Sequence, residues 1–328
     1  MILNMFIPLE LQQAIDSLSV NQDLSKVRFN AINICKKYAY ESGNGKKLVK
    51  TLDEVIAYAI ARMPATYAAA YTILEDMCEQ YNGSISTLTD LGAGTGAVSW
   101  AINELFPISR IICVEREKNM INVAKRMMNY GGESVKNAKW IEGSVTSELR
   151  IEKSDLVVAS YVMNELKEED KQIFLDNTWC GTDNFIMIIE PGTMIGYRNI
   201  LRARNYFLDR GASIIAPCTH NRSCELDRND WCHFSCRIQR NKIQKYVKKG
   251  DAPFEDEKFS YIIVSKDAVK HNNMRIVRHP IIHKGYVDLK VCSKDGIKDV
   301  KITAKNKGLY KTLKKAKWGD VINIDEGR

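Results

Sequence analysis

A glycine-rich turn between a short apolar segment and a helical pattern is the strongest constraint on how this chain folds. Residues 87–101 read TLTDLGAGTGAVSWA, which predicts a strand that ends near Asp90, a turn, and then a helix. Gly92, Gly94 and Gly96 have no Cβ, so the backbone can turn tightly and approach a ligand closely. The helix that follows offers unpaired N–H groups and a positive dipole end. Such a turn alone is typical of nucleotide-binding folds of several chemistries.

Alternating strand and helix patterns follow the turn and predict a doubly wound α/β domain. Further strands are predicted at 110–115, 138–144, 154–160, 185–190, 211–217 and 258–264. Glu115 ends the second of these seven strands, at the place where an acid can accept hydrogen bonds from both hydroxyls of a ribose. The sequence therefore predicts a nucleoside-containing ligand at the carboxyl edge of the sheet.

The first 82 residues are predicted to be helical. Apolar residues recur at three- and four-residue spacing over 9–18, 24–40, 53–63 and 66–81. Pro64 is expected to end or kink the third helix. We interpret this region as a helical cap on the α/β domain.

Composition bears on the compartment and on the partner. The first ten residues show no secretory or transit pattern, and no apolar run of about 18 residues predicts a membrane span. We therefore expect a monomer in the cytoplasm, or in the mitochondrial matrix of a eukaryote. Nine cysteines in such a chain indicate reduced thiols or metal ligands. The formal net charge of +8 permits a polyanionic partner.

Four of the cysteines lie close together in the long connection between the predicted sixth and seventh strands. They are Cys218, Cys224, Cys232 and Cys236. Thiolates on loops bind soft metals or iron–sulfur clusters, and a metal could supply folding energy to a segment without a core of its own. His220 and His233 also allow a tetrahedral zinc site with two or three of these thiolates.

The glycine turn, with an acid just before its first glycine, resembles the first motif of class I methyltransferases that use S-adenosylmethionine (SAM). The resemblance implies a Rossmann-like, seven-stranded α/β sheet. It also implies SAM contacts from the turn and from the ends of the second, third and fourth strands. The residues at these positions are Asp90, Gly92, Ala93, Gly94, Gly96, Glu115, Ser144 and Ser160. Many SAM enzymes have an acid at the position of Ser144, where a serine would supply a weaker polar contact to the adenine amine. Class I methyltransferases join their last two strands by a short hairpin, whereas about forty residues intervene here. A connection of this length is uncommon in a compact domain and indicates a functional insertion.

Several blocks resemble one family, the methyltransferase-like proteins associated with the small ribosomal subunit of mitochondria and bacteria. These blocks are RMPATY at 62–67, NEL at 164–166, EPGT at 190–193, APCTH at 216–220, DWCHF at 230–234, RIQR at 237–240, EDEKFSY at 255–261 and KWGD at 317–320. The resemblance spans residues 55–320. It implies a SAM-binding domain, an association with small-subunit ribosomal RNA during ribosome assembly, and a cysteine-ligated cluster.

In that family the fourth cysteine ligand comes from a small C-terminal β unit, and the matching residue here is Cys292. The resemblance thus implies a 4Fe-4S cluster on Cys218, Cys224, Cys232 and Cys292, with zinc as the alternative. Cys236 is then an extra thiol. Glu225 stands where the family usually has a proline after its second cysteine.

Four regions follow from these patterns. We predict a helical region over 1–82, a SAM-binding domain over 83–217 and 256–268, a cysteine-rich insertion over 218–255, and a basic β unit over 269–328. Short β segments are predicted at 275–277, 286–292 and 300–303.

Two basic stretches favour RNA as the polyanionic partner. Residues 237–249 contain no acid, and residues 298–317 contain eight lysines against one aspartate. Lysines and arginines of this kind would contact phosphates and dominate RNA affinity. The predicted RNA-binding residues are Arg237, Arg240, Lys242, Lys245, Lys311, Lys314 and Lys315.

Candidate catalytic residues follow the fourth strand. Asn164 or Glu165 could orient the N–H group of an exocyclic amine, and Tyr161 could provide a stacking surface. The tetrad typical of N-methyltransferases is absent, which leaves the target atom open. Pro217-Cys218 fits the local pattern of a C5-methylating nucleophile, but we assign Cys218 to the metal.

Two functions remain in competition at this point. The first is a SAM-dependent methyltransferase that acts on ribosomal RNA. The second is an assembly factor that binds SAM and RNA with little or no methyl transfer. A nicotinamide-dependent oxidoreductase is disfavoured, because the glycine spacing differs and no acid–base set accompanies it.

Overall fold

The computed structural model of the chain describes residues 5–81, 83–147, 152–226, 229–248 and 250–324. Three helices precede the sheet: α1 (Leu9–Ser19), α2 (Leu24–Glu41) and α3 (Leu52–Gln80). A capping box begins α3, in which Thr51 and Glu54 each satisfy a backbone N–H of the other. The helical pattern predicted for this region is confirmed.

Helix α3 continues through Pro64, so the helix end that the sequence allowed at this residue is wrong. Proline removes one backbone hydrogen bond from a helix interior, which by itself costs about 3 kcal/mol. Here Pro64 and its neighbours Met63 and Ala65 are buried. Tertiary packing around this turn therefore outweighs the local cost of the proline.

The main sheet contains eight strands in the described part of the chain. They are β1 (Thr87–Leu91), β2 (Arg110–Glu115), β3 (Lys139–Glu142), β4 (Ser154–Ser160), β5 (Thr182–Pro191), β6 (Ser213–Ala216), β7 (Phe234–Gln239) and β8 (Phe254–Ser265). Their order is β3-β2-β1-β4-β5-β8-β6, with β7 beside the first half of β8. The first five run parallel, and β8 is antiparallel to its neighbours.

The sequence predicted seven strands, and the additional one is β7, from the cysteine-rich insertion. Its buried residues Phe234, Cys236 and Ile238 alternate with Ser235, Arg237 and Gln239, which are less buried. This period of two is the pattern of a strand with one covered face. The insertion therefore extends the sheet through β7.

Helices cover both faces of the sheet. They are α4 (Ala97–Leu105), α5 (Lys118–Met128), α6 (Glu133–Lys136), α7 (Asp170–Cys180), α8 (Met194–Leu208) and the short α9 (Lys242–Val247) in the insertion. Val158 joins the core that includes α3 and α4, whereas its neighbour Val157 joins the core that includes α7 and α8. Burial on both faces explains why the central strands are continuous apolar runs. None of the described helices is long and apolar enough to span a membrane.

A second, smaller sheet follows the first. It consists of β9 (Met274–Ile276), β10 (Ile281–His283), β11 (Tyr286–Ser293), β12 (Gly296–Thr303) and β13 (Val321–Ile322), with helix α10 (Lys307–Leu313) between the last two strands. Val287, Leu289 and Val291 of β11 project into a separate hydrophobic cluster. The three predicted β segments lie in β9, β11 and β12, whereas α10 was not predicted.

Arg275 of β9 ties the small sheet to the rest of the protein. Its buried guanidinium donates to both carboxylate oxygens of Asp76 at 2.9 Å, and to the carbonyl oxygen of Pro217 at 2.8 Å. Tyr261 of β8 also donates to Asp76, at 2.7 Å. Helix α3, the main sheet and the small sheet therefore meet at one buried ion pair.

Candidate functional site

A cavity of about 530 Å³ lies at the carboxyl ends of β1, β2 and β4. It is the place where open α/β sheets bind ligands. Eight residues predicted from the sequence line it: Gly92, Gly94, Glu115, Ser144, Ser160, Tyr161, Asn164 and Glu165. The predicted cofactor and catalytic residues thus largely share one site.

The glycine turn presents one open position to this cavity. Gly92, Gly94 and Gly96 all have positive φ angles, of 71°, 55° and 82°. A Cβ at Gly92 would meet Val162 at 2.6 Å, and one at Gly96 would meet Met128 at 2.5 Å. A Cβ at Gly94 would meet nothing within 4 Å. Gly92 and Gly96 thus permit close packing of the protein, whereas Gly94 leaves free space where a ligand can approach the backbone.

Asp90 lies beneath the turn and is fully buried, outside the set of residues that line the cavity. Its Oδ2 accepts a hydrogen bond from Ser99 Oγ at 3.4 Å, and its Oδ1 has no partner. Burial raises the pKa of Asp90 to about 7. Ala93 and Gly96 are likewise outside the cavity lining. The structure thus places Asp90 as a support for the turn.

Glu115 connects the end of β2 to the turn. Its Oε2 accepts from the backbone N–H of Gly94 and its Oε1 from that of Glu117, both at 2.9 Å. Burial raises the pKa of this carboxyl group, and the two backbone donors act in the opposite direction. Each carboxylate oxygen keeps a second lone pair, so Glu115 can still accept from hydroxyl groups of a ligand.

The loop after β4 is held in a strained conformation. Tyr161 has a φ of 62°, which is rare for a bulky residue. Buried Glu190 fixes this loop, because its Oε1 accepts from the backbone N–H of Met163 and its Oε2 from Asn199 Nδ2, each at 2.9 Å. Glu190 therefore positions the segment that carries Asn164 and Glu165. The sequence singled out 190–193 as a family block but gave Glu190 no role.

Glu165 has an environment that shifts its protonation towards neutral pH. Burial raises its pKa to about 7, against the opposing charge of Arg116, whose Nη2 lies 3.8 Å from Oε2. Tyr38 of α2 lines the same cavity and also acts to lower the pKa of this carboxyl group. A carboxyl group that titrates near neutral pH can act as a general base or acid.

A partly buried ion pair forms another part of the cavity wall. Arg62 of α3 donates to both carboxylate oxygens of Glu257 on β8, at 2.9 and 3.2 Å. Tyr161 Oη donates to the same carboxylate at 3.0 Å. Sequence reasoning missed Arg62 and Glu257 as site residues. The only signal was their place in the RMPATY and EDEKFSY blocks.

The N-terminal region also lines the cavity, through Cys35 and Tyr38 of α2, Tyr58 of α3, and Leu48 and Val49 of the connection between these helices. The connection between α2 and α3 is bound to the main domain. Arg116 donates to the carbonyl oxygens of Gly45 and Lys46 at 3.2 and 3.1 Å, and Asn119 donates to that of Lys50 at 3.1 Å. The helical region thus forms a wall of the site in addition to capping the domain.

The four cysteines assigned to a metal share a second, smaller cavity. Cys218, Cys224, Cys232 and Cys292 line a space of about 30 Å³ between α8, the insertion and the small sheet. Thr219 Oγ1 donates to the carbonyl oxygen of Cys292 at 3.0 Å, and Tyr197 Oη lies 3.2 Å from Cys224 Sγ. Two segments distant in sequence, the insertion and β11, thus bring their thiols to one interior place.

The alternative ligands lie elsewhere. Cys236 is buried on β7, and His220 and His233 are likewise outside the lining of the cysteine cavity. The ring of His233 packs against Trp231 and Trp318. Among the residues that the structure describes, no three His, Cys, Asp or Glu side chains are close enough to ligate one metal ion as placed.

The predicted RNA-binding residues differ in their surroundings. Arg237 forms a bidentate pair with Asp256 at 2.6 and 2.7 Å, and Arg240 pairs with Glu255 at 2.9 Å. Within the described ranges, no ion pair engages the others, Lys242, Lys245, Lys311, Lys314 and Lys315. Lys249 of the same basic stretch lies outside the described residues.

The parallel strands, the glycine turn after β1 and the acid at the end of β2 define a Rossmann-like methyltransferase fold. A family model described as "Mitochondrial small ribosomal subunit Rsm22" matches residues 52–323, and the chain belongs to this family. The resemblance found in the sequence is thereby confirmed.

Two curated relatives illustrate the family. The human "Ribosome assembly protein METTL17, mitochondrial" is 25% identical over 333 residues, which cover 93% of this chain and 70% of that protein. The Schizosaccharomyces pombe "Rsm22-cox11 tandem protein 2, mitochondrial" is 24% identical over 83% of this chain. The chain spans 43% of the length of that tandem protein.

Solved structures with a related fold are more distant. Magnesium protoporphyrin IX methyltransferase from Synechocystis PCC 6803 with bound SAM is 10% identical, with a TM-score of 0.41 over 71% of this chain and 91% of that one. Precorrin-6y C5,15-methyltransferase from Geobacter metallireducens GS-15 is 14% identical, with a TM-score of 0.38 over 58% of this chain and 84% of that one.

Proposed function

We propose that this protein binds SAM in the 530 Å³ cavity and acts on or with small-subunit ribosomal RNA during ribosome assembly. The observation that carries the proposal is the open space at Gly94 beside the carboxylate of Glu115. A turn without a side chain can contact the methionine part of the cofactor, and the neighbouring acid can accept the ribose hydroxyls.

The relatives support the ribosomal part of the proposal. The family description names the mitochondrial small ribosomal subunit, and the human relative is named a mitochondrial ribosome assembly protein. We therefore propose that the protein acts on the small subunit, in the cytoplasm of a bacterium or the mitochondrial matrix of a eukaryote. We further propose that it is a monomer.

The first candidate activity is methyl transfer. SAM supplies an electrophilic methyl group, so the protein must align an acceptor and exclude water. Asn164 and Glu165 lie on the loop that Glu190 fixes, beside the proposed cofactor site. With its pKa near 7, Glu165 can accept a proton or a hydrogen bond from an acceptor amine. Tyr161 then lies next to the acceptor.

The second candidate is an assembly factor that binds SAM without transferring the methyl group. Arg62, Tyr161 and Glu257 satisfy one another in the cavity wall, which leaves fewer free polar groups for an acceptor. The missing N-methyltransferase tetrad favours the same reading. Calorimetric titration with SAM, followed by a radiolabelled methyl-transfer assay on immature small subunits, separates the two. Binding with transfer indicates the enzyme, binding without transfer indicates the assembly factor, and no binding contradicts both.

Glu115→Gln should weaken SAM binding by roughly 1–3 kcal/mol, because a charge-assisted hydrogen bond to the ribose becomes a neutral one. Calorimetry with SAM measures this change. Glu142→Gln is the matched control, since Glu142 faces Glu115 in the ladder of β2 and β3 but is exposed to solvent. Equal affinities of the two variants would contradict a ribose-binding role for Glu115.

We also propose a 4Fe-4S cluster on Cys218, Cys224, Cys232 and Cys292. The four thiols line one cavity, yet they are not close enough to bind one ion as placed. The resemblance to the small-subunit family favours the cluster over zinc, and the position of the cavity between α8, the insertion and the small sheet favours a structural role.

RNA binding should depend on Lys242 and Lys245, the two basic residues of the insertion that have no ion-pair partner in the described ranges. If both lysines contact phosphates, the double variant Lys242→Glu/Lys245→Glu should reduce the magnitude of the slope of log affinity against log salt concentration by roughly 1.4. This value corresponds to about 0.7 for each phosphate contact with a single strand. Filter binding to small-subunit RNA at several salt concentrations measures the slope.

The matched control is Lys125→Glu/Arg126→Glu, with the same change of charge on exposed residues of α5. An equal loss of slope in both variants would show that only net charge matters. An unchanged slope in the insertion variant would exclude these two lysines as phosphate contacts.

A further inference from the structure

Arg204 of α8 lies in the wall of the cysteine cavity. Its side chain is 1% exposed, which makes it one of the most deeply buried large side chains of the protein. The residues that line the cavity with it include all four proposed cluster ligands. A full positive charge therefore sits against four thiols in the protein interior.

The polar partners of Arg204 are neutral groups. Nη2 donates to the carbonyl oxygen of His220 at 3.3 Å and to that of Arg222. Cys218 lines the same cavity as this guanidinium. Its Nε is buried without a partner. No carboxylate forms an ion pair with Arg204 in the ranges that the structure describes.

Arg275 shows what is missing. It is 3% exposed and pairs with Asp76, and even Arg62, which is only partly buried, pairs with Glu257. A buried charge without a partner is strongly unfavourable, so native proteins pair it or bind it to an ion of opposite charge. The counter-charge of Arg204 must therefore come from the cavity itself.

Neutral thiols cannot provide that charge, but metal-bound thiolates can. Four thiolates outweigh the positive charge of a 4Fe-4S core or of a zinc ion, so the ligated centre is an anion. We propose that the guanidinium of Arg204 compensates the charge of the metal–thiolate centre and donates a hydrogen bond to it, since Arg204 and the four cysteines line one cavity and its buried Nε has no partner. This inference rests on the proposed cluster. Arg204 is thus a positioning residue that selects an anionic occupant for the cavity.

Anaerobically purified full-length protein provides the first test. Arg204→Met should release its iron to a chelator about 10 to 100 times faster than the wild type, as is usual for removal of a partner of metal ligands. Its reduction midpoint should move to more negative values, because the added electron loses a nearby positive charge. Arg204→Lys keeps the charge and should fall between the two. Arg202→Met is the control, since Arg202 lies on the same helix and pairs with Glu168 at the surface.

Unfolding of loaded and metal-free protein separates charge compensation from a merely structural role. Without metal, the buried cation has no counter-charge, so metal-free Arg204→Met should be at least as stable as metal-free wild type. In the loaded protein the same substitution should lower stability. If the hydrogen bonds to the carbonyl groups of His220 and Arg222 were its whole role, both forms would lose stability equally.

The outcomes distinguish this inference from the cluster proposal. A wild-type protein that carries neither iron nor zinc overturns both. A loaded wild type with Arg204→Met unchanged in chelator release, midpoint and unfolding overturns the role of Arg204 alone. A colourless wild type with one zinc per chain overturns the 4Fe-4S assignment. In that case, faster release of zinc to a chelator from Arg204→Lys than from Arg204→Met would overturn the role of Arg204.

Discussion

Cys292→Ser should abolish the brown colour of the protein and reduce its iron content to the level of a fully metal-free preparation. Cys292 is the one proposed ligand from outside the insertion, and its thiol reaches the cavity from β11 of the small sheet. A serine hydroxyl does not ionise readily and is a poor ligand for iron, which prefers thiolates in clusters of this kind. Iron and sulfide analysis with a visible spectrum after anaerobic purification measures the loss.

The same variant should loosen the small sheet without detaching it. Without the cluster, one covalent link between the insertion and β11 is lost. The ion pair of Arg275 with Asp76 remains, and Cys292 lies opposite Arg275 in the ladder of β9 and β11. We therefore expect faster hydrogen exchange over residues 274–322, with exchange in β1 and β4 unchanged. SAM binding should also survive.

Cys236→Ser is the matched control, because Cys236 is a buried thiol of the same insertion that lies outside the cysteine cavity. It should keep its colour and its iron. Loss of the cluster in Cys236→Ser together with an intact cluster in Cys292→Ser would show that the ligand assignment is wrong.

The parts of the fold that the sequence predicted are those with local causes. The strands β1, β2 and β4 were predicted at or within one residue of their observed bounds, because their apolar runs are short and end at turn residues. The glycine turn follows from the positive φ angles that only glycine adopts readily. Glu115 could be placed at the cavity because its position follows from strand order.

The parts that the sequence missed depend on contacts between distant segments. Arg62 and Glu257 are separated by 195 positions, and nothing near either residue indicates the other. Pro64 breaks a helix locally but not when the surrounding core buries it. Arg204 lies beside the four cysteines only because α8, the insertion and β11 enclose one cavity together. Local periodicity cannot report such long-range pairs.

Gly94→Val should reduce SAM affinity at least about 100-fold, or roughly 3 kcal/mol, because its side chain would occupy the open space at the turn. The structure itself has no atom within 4 Å of a Cβ at this position, so the clash would be with the ligand and not with the protein. Calorimetric titration with SAM measures the affinity. Gly94 also has a φ of 55°, so the valine adds backbone strain of roughly 1–3 kcal/mol to the folded state.

Gly211→Val controls for that strain. Gly211 has a φ of 86°, its Cβ would likewise meet nothing within 4 Å, and it lies in an exposed turn after α8. Both variants should therefore unfold at lower temperatures than the wild type by similar amounts. Only Gly94→Val should lose SAM, since only its added side chain lies in the cavity. Wild-type affinity in Gly94→Val, or an equal loss of affinity in Gly211→Val, would show that the space at Gly94 is not the cofactor site.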